Sequence, residues 1–188
     1  MTAGFVRAAR SSDAPDLAHV QVASWRDSLA GLVPDVVLAE LTSTDAEAQW
    51  AQRWRAAIVD PPTSRHKVHV AVESPQAPEP VGFASAGPAT DADLWPGTDG
   101  ELYELHVLPA AASVAEEGHG GRLLHAVADT LAEDGFHMAY TWALSEDEER
   151  LSFLESAGWA PDGSHSNLDM GVKVHVVRLC TRLSPASS

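Results

Sequence analysis

The run Glu116-Glu117-Gly118-His119-Gly120-Gly121, followed by Arg122, is the stretch of this 188-residue chain whose residue types point most directly to chemistry. Glycines let a backbone reverse direction and approach a ligand closely, so the amides of such a turn can converge on an anion. Where a helix starts at the turn, its positive dipole end adds to the attraction, and a phosphate or diphosphate is the natural guest. Arg122, just inside that helix, would add a charge-assisted contact. Glycine at a helix start also serves packing or chain reversal alone, and both readings stand at this point. The lysine of a Walker motif and the glycine spacing of a dinucleotide fold are absent.

Other chemistries find less support. The pairs His66 and His69, His119 and His125, and His165 and His175 form no recognised ligand set with cysteine or carboxylate, so no metal is expected. There is no Gly-x-Ser-x-Gly turn, and the single cysteine, Cys180, has no histidine partner in sequence, which leaves a hydrolase without a nucleophile. Cys180 stands in an alternating apolar segment and reads as a small buried hydrophobe. Twelve basic against 27 acidic residues give a formal charge of −15, which repels a phosphate backbone and excludes nucleic acid as a partner. That charge serves solubility and could also attract cationic amines. No run of eighteen apolar residues occurs, and Arg7 and Arg10 precede no hydrophobic stretch, so a soluble cytoplasmic protein without a membrane partner is expected.

The elements that must position the glycine turn follow from periodicity and punctuation. Phe5 to Ala9 reads as a strand, and Ser12 or Asp13 can cap a helix with Pro15 in its first turn that runs to about Leu29. Asp35 to Leu41 and Ala46 to Val59 read as helices, the second stopped by Pro61-Pro62. Val68, Val70 and Val72 alternate with His69, Ala71 and Glu73, and Val81 to Phe83 resumes the extended pattern after a Pro-rich turn from Ser74 to Pro80. Residues 87–100 form a loop, Leu102 to Val107 a strand, and Leu124, Val127 and Leu131 mark a helix from near Gly118 to Gly135. Phe136 to Leu144, Glu146 to Ala157 and Val172 to Leu183 supply strand, helix and strand, with 184–188 expected to fray. No repeat or linker interrupts this order, so the whole of 1–188 is expected to be one α/β domain, with a partly antiparallel sheet and helices on both faces.

With the turn placed between strand and helix, the chain resembles the GNAT superfamily of acetyltransferases. That family's signature is a strand ending in Val-x-Pro, then Arg/Gln-x-x-Gly-x-Gly/Ala opening a helix, and Val107-Leu108-Pro109 and Gly118-His119-Gly120 match it. The likeness continues through Val6-Arg7, Ser24-Trp25, Gly31 to Pro34, Val81-Gly82-Phe83, Gly87-Pro88, Trp142-Ala143-Leu144 and Phe153 to Trp159. It implies a mixed, mostly antiparallel sheet of about seven strands, with acetyl-CoA as cosubstrate. It also implies that the backbone near Leu105 and Val107 meets the pantetheine arm, and that the turn Glu117, Gly118, His119, Gly120, Gly121 with Arg122 meets the pyrophosphate. Asp147 stands where an Asn often adjoins the coenzyme. Trp25 and Leu29 would border the acceptor groove, although Trp25, Trp50 and Trp54 also suit simple core packing. Homodimers are common among resembling proteins.

The implied reaction is direct attack of an amine of a small molecule or peptide on the thioester, which requires a group to take the ammonium proton. Glu101 stands six residues before Val107, where some members place a carboxylate base. Strand alternation puts it on the face of Tyr103, Leu105 and Val107. Glu104 and His106 fall on the opposite face and would serve as catalysts only if a bulge reverses the alternation. A second reading is a GNAT-fold binding module without transfer activity. It is motivated by Ala115 where the family has Arg or Gln, by Glu116 and Glu117 beside the phosphate turn, by six residues from Pro109 to position 115 where three are usual, and by Leu154 where the family often has a tyrosine acid.

Overall fold

A computed structural model describes residues 4–112 and 118–184. Seven strands form one sheet: β1 (Phe5–Ala8), β2 (Lys67–Ser74), β3 (Ala77–Pro88), β4 (Asp99–Val107), β5 (Met138–Leu144), β6 (Ala160–Asp169) and β7 (Lys173–Arg182). Their order across the sheet is β1-β2-β3-β4-β5-β7-β6. Every neighbouring pair is antiparallel except β4 and β5. The helices are α1 (Ala14–Ser28), α2 (Asp35–Leu41), α3 (Thr44–Val59), α4 (His119–Glu133) and α5 (Glu148–Ser156).

Alternation along the central strands sends side chains to two separate cores. Val70 and Phe83 face Leu17, Val20 and Trp54 of α1 and α3. Their neighbours Ala71 and Ala84 face Leu123, Leu124, Val127 and Leu131 of α4 and Leu154 of α5. The α4 residues recur at three and four, so one helix face is buried, and each large side chain removed from water contributes about 1.5–3 kcal/mol. Both helices on this side stop at a glycine with positive φ, Gly135 at 84° and Gly158 at 85°. In each case the next amide, that of Phe136 or Trp159, reaches back to a carbonyl five residues earlier, which satisfies the helix end.

Two expectations need correction. The Pro-rich segment is not a long turn: β3 already begins at Ala77 and carries Pro78 and Pro80, with Pro80 opposite Val72 at a register shift that tolerates the missing amide proton. The strand β6 has no counterpart in the periodic pattern because Ala160–Asp169 lies at the sheet edge with almost every residue exposed, so no apolar alternation marks it. Its place is set by β7, with a shift between Pro161 and His165. Among the described residues no helix is long and apolar enough to cross a membrane.

Candidate active site

Strands β4 and β5 run parallel through Asp99↔Met138, Gly100↔Ala139 and Glu101↔Tyr140, and their pairing stops there. Beyond that point two β4 carbonyls take side-chain donors in place of a neighbouring strand. The Thr141 hydroxyl donates to the Leu102 carbonyl at 2.9 Å, and the Arg150 guanidinium donates to the Leu105 carbonyl at 3.0 Å. The result is an opening in the sheet bordered by the backbone from Leu102 to Val107. Leu105 and Val107 share a backbone direction by alternation, so both present their main chain to the opening.

A bulge reverses the faces of β4. Ser85 pairs with Glu104 but Ala86 pairs with Leu102, so Tyr103 is an extra residue on β4. Its hydroxyl donates to the Pro88 carbonyl at 2.6 Å and its ring stacks on His66, which holds the bulge in place. Burial, with a contribution from Glu101, drives the Tyr103 phenol well above its ordinary range, so it remains a donor. Leu102 and Leu105 therefore both enter the α4 core. Glu101 does not share a face with Leu105 and Val107; it shares one with Glu104 and His106, on the α1 side of the sheet.

These three residues differ in environment. Glu101 is 8% exposed, and one carboxylate oxygen accepts from the Thr90 amide at 2.8 Å and the Thr90 hydroxyl at 2.7 Å. Burial raises its pKa against the lowering effect of those two bonds. Glu104 is 36% exposed in its side chain, and its Oε2 lies 2.7 Å from Nε2 of His106, which is only 8% exposed. Nδ1 of His106 lies 3.1 Å from the Ser24 hydroxyl of α1. A neutral imidazole with its proton on Nε2 donates to Glu104 and accepts from the Ser24 hydroxyl at Nδ1. Phe83 and the edge of Trp25 enclose the imidazole at centroid distances of 5.2 and 6.0 Å, and Trp25 itself rests on Trp50. Leu29 is buried at the end of α1 and Trp54 is a core residue bonded to Gln21, so of the expected groove residues Trp25 adjoins the site.

The glycine turn opens α4, with Gly118 in extended conformation at the cap and Arg122 bonded through its amide to the Gly118 carbonyl. The amides of His119, Gly120 and Gly121 occupy the first turn, where no intrahelical acceptor exists. A Cβ on Gly120 would stand 3.1 Å from the Phe153 ring, so glycine there lets α4 and α5 close. The Arg122 guanidinium lies 3.1 Å from His119 Nδ1, and burial followed by that charge lowers the His119 pKa. Glu117, with Ala115 and Glu116, lies outside the described residues. Asp147 caps α5 by accepting from the Arg150 amide at 3.0 Å, a contact that stabilises a helix by about 1 kcal/mol. Its carboxylate is engaged by its own helix.

A second cluster escaped the sequence reading. Arg178 of β7, 4% exposed, donates to Asp91, Asp93 and Asp162 at 2.7–2.8 Å and to Ser164 at 2.8 Å. Asp91 also accepts from the Trp142 indole at 3.0 Å. The cluster fastens the connection between β3 and β4 to β5, β6 and β7, and that connection supplies the Thr90 that holds Glu101. The four partners come from segments up to 87 residues apart, so no local motif announces them. Among the described residues no group of three or more His, Cys, Asp or Glu could hold a metal ion.

No family model matches the chain. A curated relative, the uncharacterized N-acetyltransferase YuaI of Bacillus subtilis strain 168, is 30% identical over 157 residues, covering 84% of this chain and 79% of the relative. Among solved structures, an N-acetyltransferase from Staphylococcus aureus Mu50 superposes with a TM-score of 0.69 at 13% identity, over 97% of this chain and all of the other. YncA from Salmonella typhimurium, solved with its cofactor acetyl-CoA, gives 0.68 at 15% over 100% and 98%. The PaiA N-acetyltransferase of Thermoplasma acidophilum, in complex with coenzyme A, gives 0.64 at 15% over 96% and 99%. The structural likenesses fix the fold, and together with the relative in sequence they show that this chain belongs to the GNAT superfamily of N-acetyltransferases.

Proposed function

We propose that the chain moves the acetyl group of acetyl-CoA to a primary amine of a small molecule or peptide, by direct attack of the amine on the thioester. The observation that carries this reading is the opening between β4 and β5, where the β4 backbone pairs with no strand and adjoins the Glu104–His106–Ser24 chain. The residues fit the cosubstrate. The edge at Leu105 and Val107 offers backbone partners to an amide-bearing arm, and the first turn of α4 offers a diphosphate amides that have no acceptor within the helix. Acetyl-CoA supplies the activated acyl group and the thiolate leaving group.

An alkyl amine has a pKa of about 10 and reaches the site charged, so a base must come first. Glu104 takes that role: of the two candidate carboxylates it is the more exposed, and it stands next to Leu105 at the opening. His106 and Ser24 position it, the imidazole being fixed by a bond at each ring nitrogen. Glu101 is a structural carboxylate that ties the β3–β4 connection to the sheet through Thr90. Backbone donors at the edge of β4 steady the oxyanion. Trp25 supplies an aromatic wall on the acceptor side. A cytoplasmic location goes with the single cysteine, which has no partner for a disulfide within the chain.

The test is thermal unfolding with and without acetyl-CoA. At a concentration about one hundred times Kd, binding to the folded state adds about 2.7 kcal/mol, a rise of several degrees in Tm for a chain of this size. An unchanged Tm up to millimolar acetyl-CoA contradicts the reading.

A further inference from the structure

We infer that Arg150 is the group that stabilises the departing thiolate, an inference that rests on the acetyl-CoA reading above. Arg150 lies in the first turn of α5, and its guanidinium reaches across the opening to the Leu105 carbonyl at 3.0 Å. One guanidinium nitrogen holds that carbonyl, and the planar group carries further donors. Glu104 is the residue before Leu105 on β4, so the base and the cation flank the same short stretch of strand. Burial lowers the Arg150 pKa from its ordinary value, and the charges of Glu104 and Asp147 act against that lowering.

The placement has a chemical consequence. As the amine nitrogen bonds to the acyl carbon, the carbon–sulfur bond breaks and its electron pair leaves with sulfur. One ammonium proton leaves through Glu104 to water before the attack. The second, shed by nitrogen as the amide forms, is taken by Glu104 once it is ionised again, and the thiolate takes its own proton later from water. Negative charge therefore develops on sulfur at a strand and helix end that carry the acidic residues Glu104 and Asp147. A guanidinium does not donate a proton at neutral pH, but at a partly dry site it lowers the energy of an adjacent anion. Leu154, one turn further along α5, is fully buried in the apolar core and offers no donor. Arg150 is the cation that the helix presents to the opening.

Coenzyme A itself reports on this without turnover. The thiol of bound coenzyme A is titrated by the ultraviolet absorbance of its thiolate, as a difference against protein alone to remove Cys180. In the wild type the thiol pKa falls by about one unit below the ordinary thiol value of about 8.5. Arg150→Gln, which keeps a donor for Leu105 but no charge, returns it to the free value or above. Arg150→Lys retains most of the depression. The kinetic counterpart is selective: Arg150→Gln slows transfer from acetyl-CoA at least tenfold more than transfer from an acetyl thioester of an aryl thiol, whose leaving group needs less help. Equal thiol pKa in wild type and Arg150→Gln, or equal slowing with both thioesters, overturns the inference and leaves the acetyl-CoA reading standing. Failure of the wild type to bind coenzyme A overturns both.

Discussion

Glu104→Gln lowers kcat for amine acetylation by about 100-fold or more and leaves KM for acetyl-CoA within about a factor of two, as loss of a general base requires. Glutamine keeps the size and can still meet His106, but it cannot accept the ammonium proton. The carboxylate is 36% exposed, so the fold does not depend on it. Glu101→Gln behaves differently. Its partner Thr90 donates twice to one carboxylate oxygen, and an amide oxygen can still accept both bonds, so kcat falls less than about tenfold. Steady-state kinetics of the two variants side by side decide between them. A larger loss at Glu101 than at Glu104 would return the base to the position that alternation alone favours.

Arg178→Ala destabilises the protein by about 3 kcal/mol, because a buried cation is removed from carboxylates that then face one another. For a chain of this size the fall in Tm is about 6–12 °C. Arg178→Lys recovers less than half, since an ammonium cannot span Asp91, Asp93 and Asp162 as the planar fork does. The charge pairs hold the Arg178 pKa above its ordinary value, most strongly through Asp93, so the guanidinium stays charged at any working pH. The same variant loosens the connection that carries Thr90, and activity falls with stability. A Tm loss below 2 °C would mean that the cluster is surface decoration.

Much of the fold is written in local pattern. The Val68-Val70-Val72 alternation, the Leu124-Val127-Leu131 spacing, and the glycines at 135 and 158 each correspond to an element or its end within two residues. What escaped is what depends on pairing between distant segments. The edge strand β6 carries no apolar alternation because neither face is covered. The bulge at Tyr103 is a register event between β3 and β4, and it alone moves Glu104 and His106 to the face of Glu101. Arg150 meets Leu105 across 45 residues and Ser24 meets His106 across 82, so neither contact has a sequence motif. The glycine turn was legible as the start of a helix. The candidate residues on β4 were legible as a set, while their sharing of one face was not.

The central claim is transfer of an acetyl group from acetyl-CoA to an amine, and thiol release follows it directly. Purified protein is mixed with acetyl-CoA and a panel of primary amines and peptide amines. Free coenzyme A is detected by a thiol reagent, and the acetylated amine by mass. At least one amine should release coenzyme A well above the no-amine rate, in a one-to-one ratio with its acetylated product, and Glu104→Gln should abolish most of that release. No amine-dependent thiol release from folded wild-type protein, across the panel, would contradict the account and favour a GNAT-fold protein that binds without transfer.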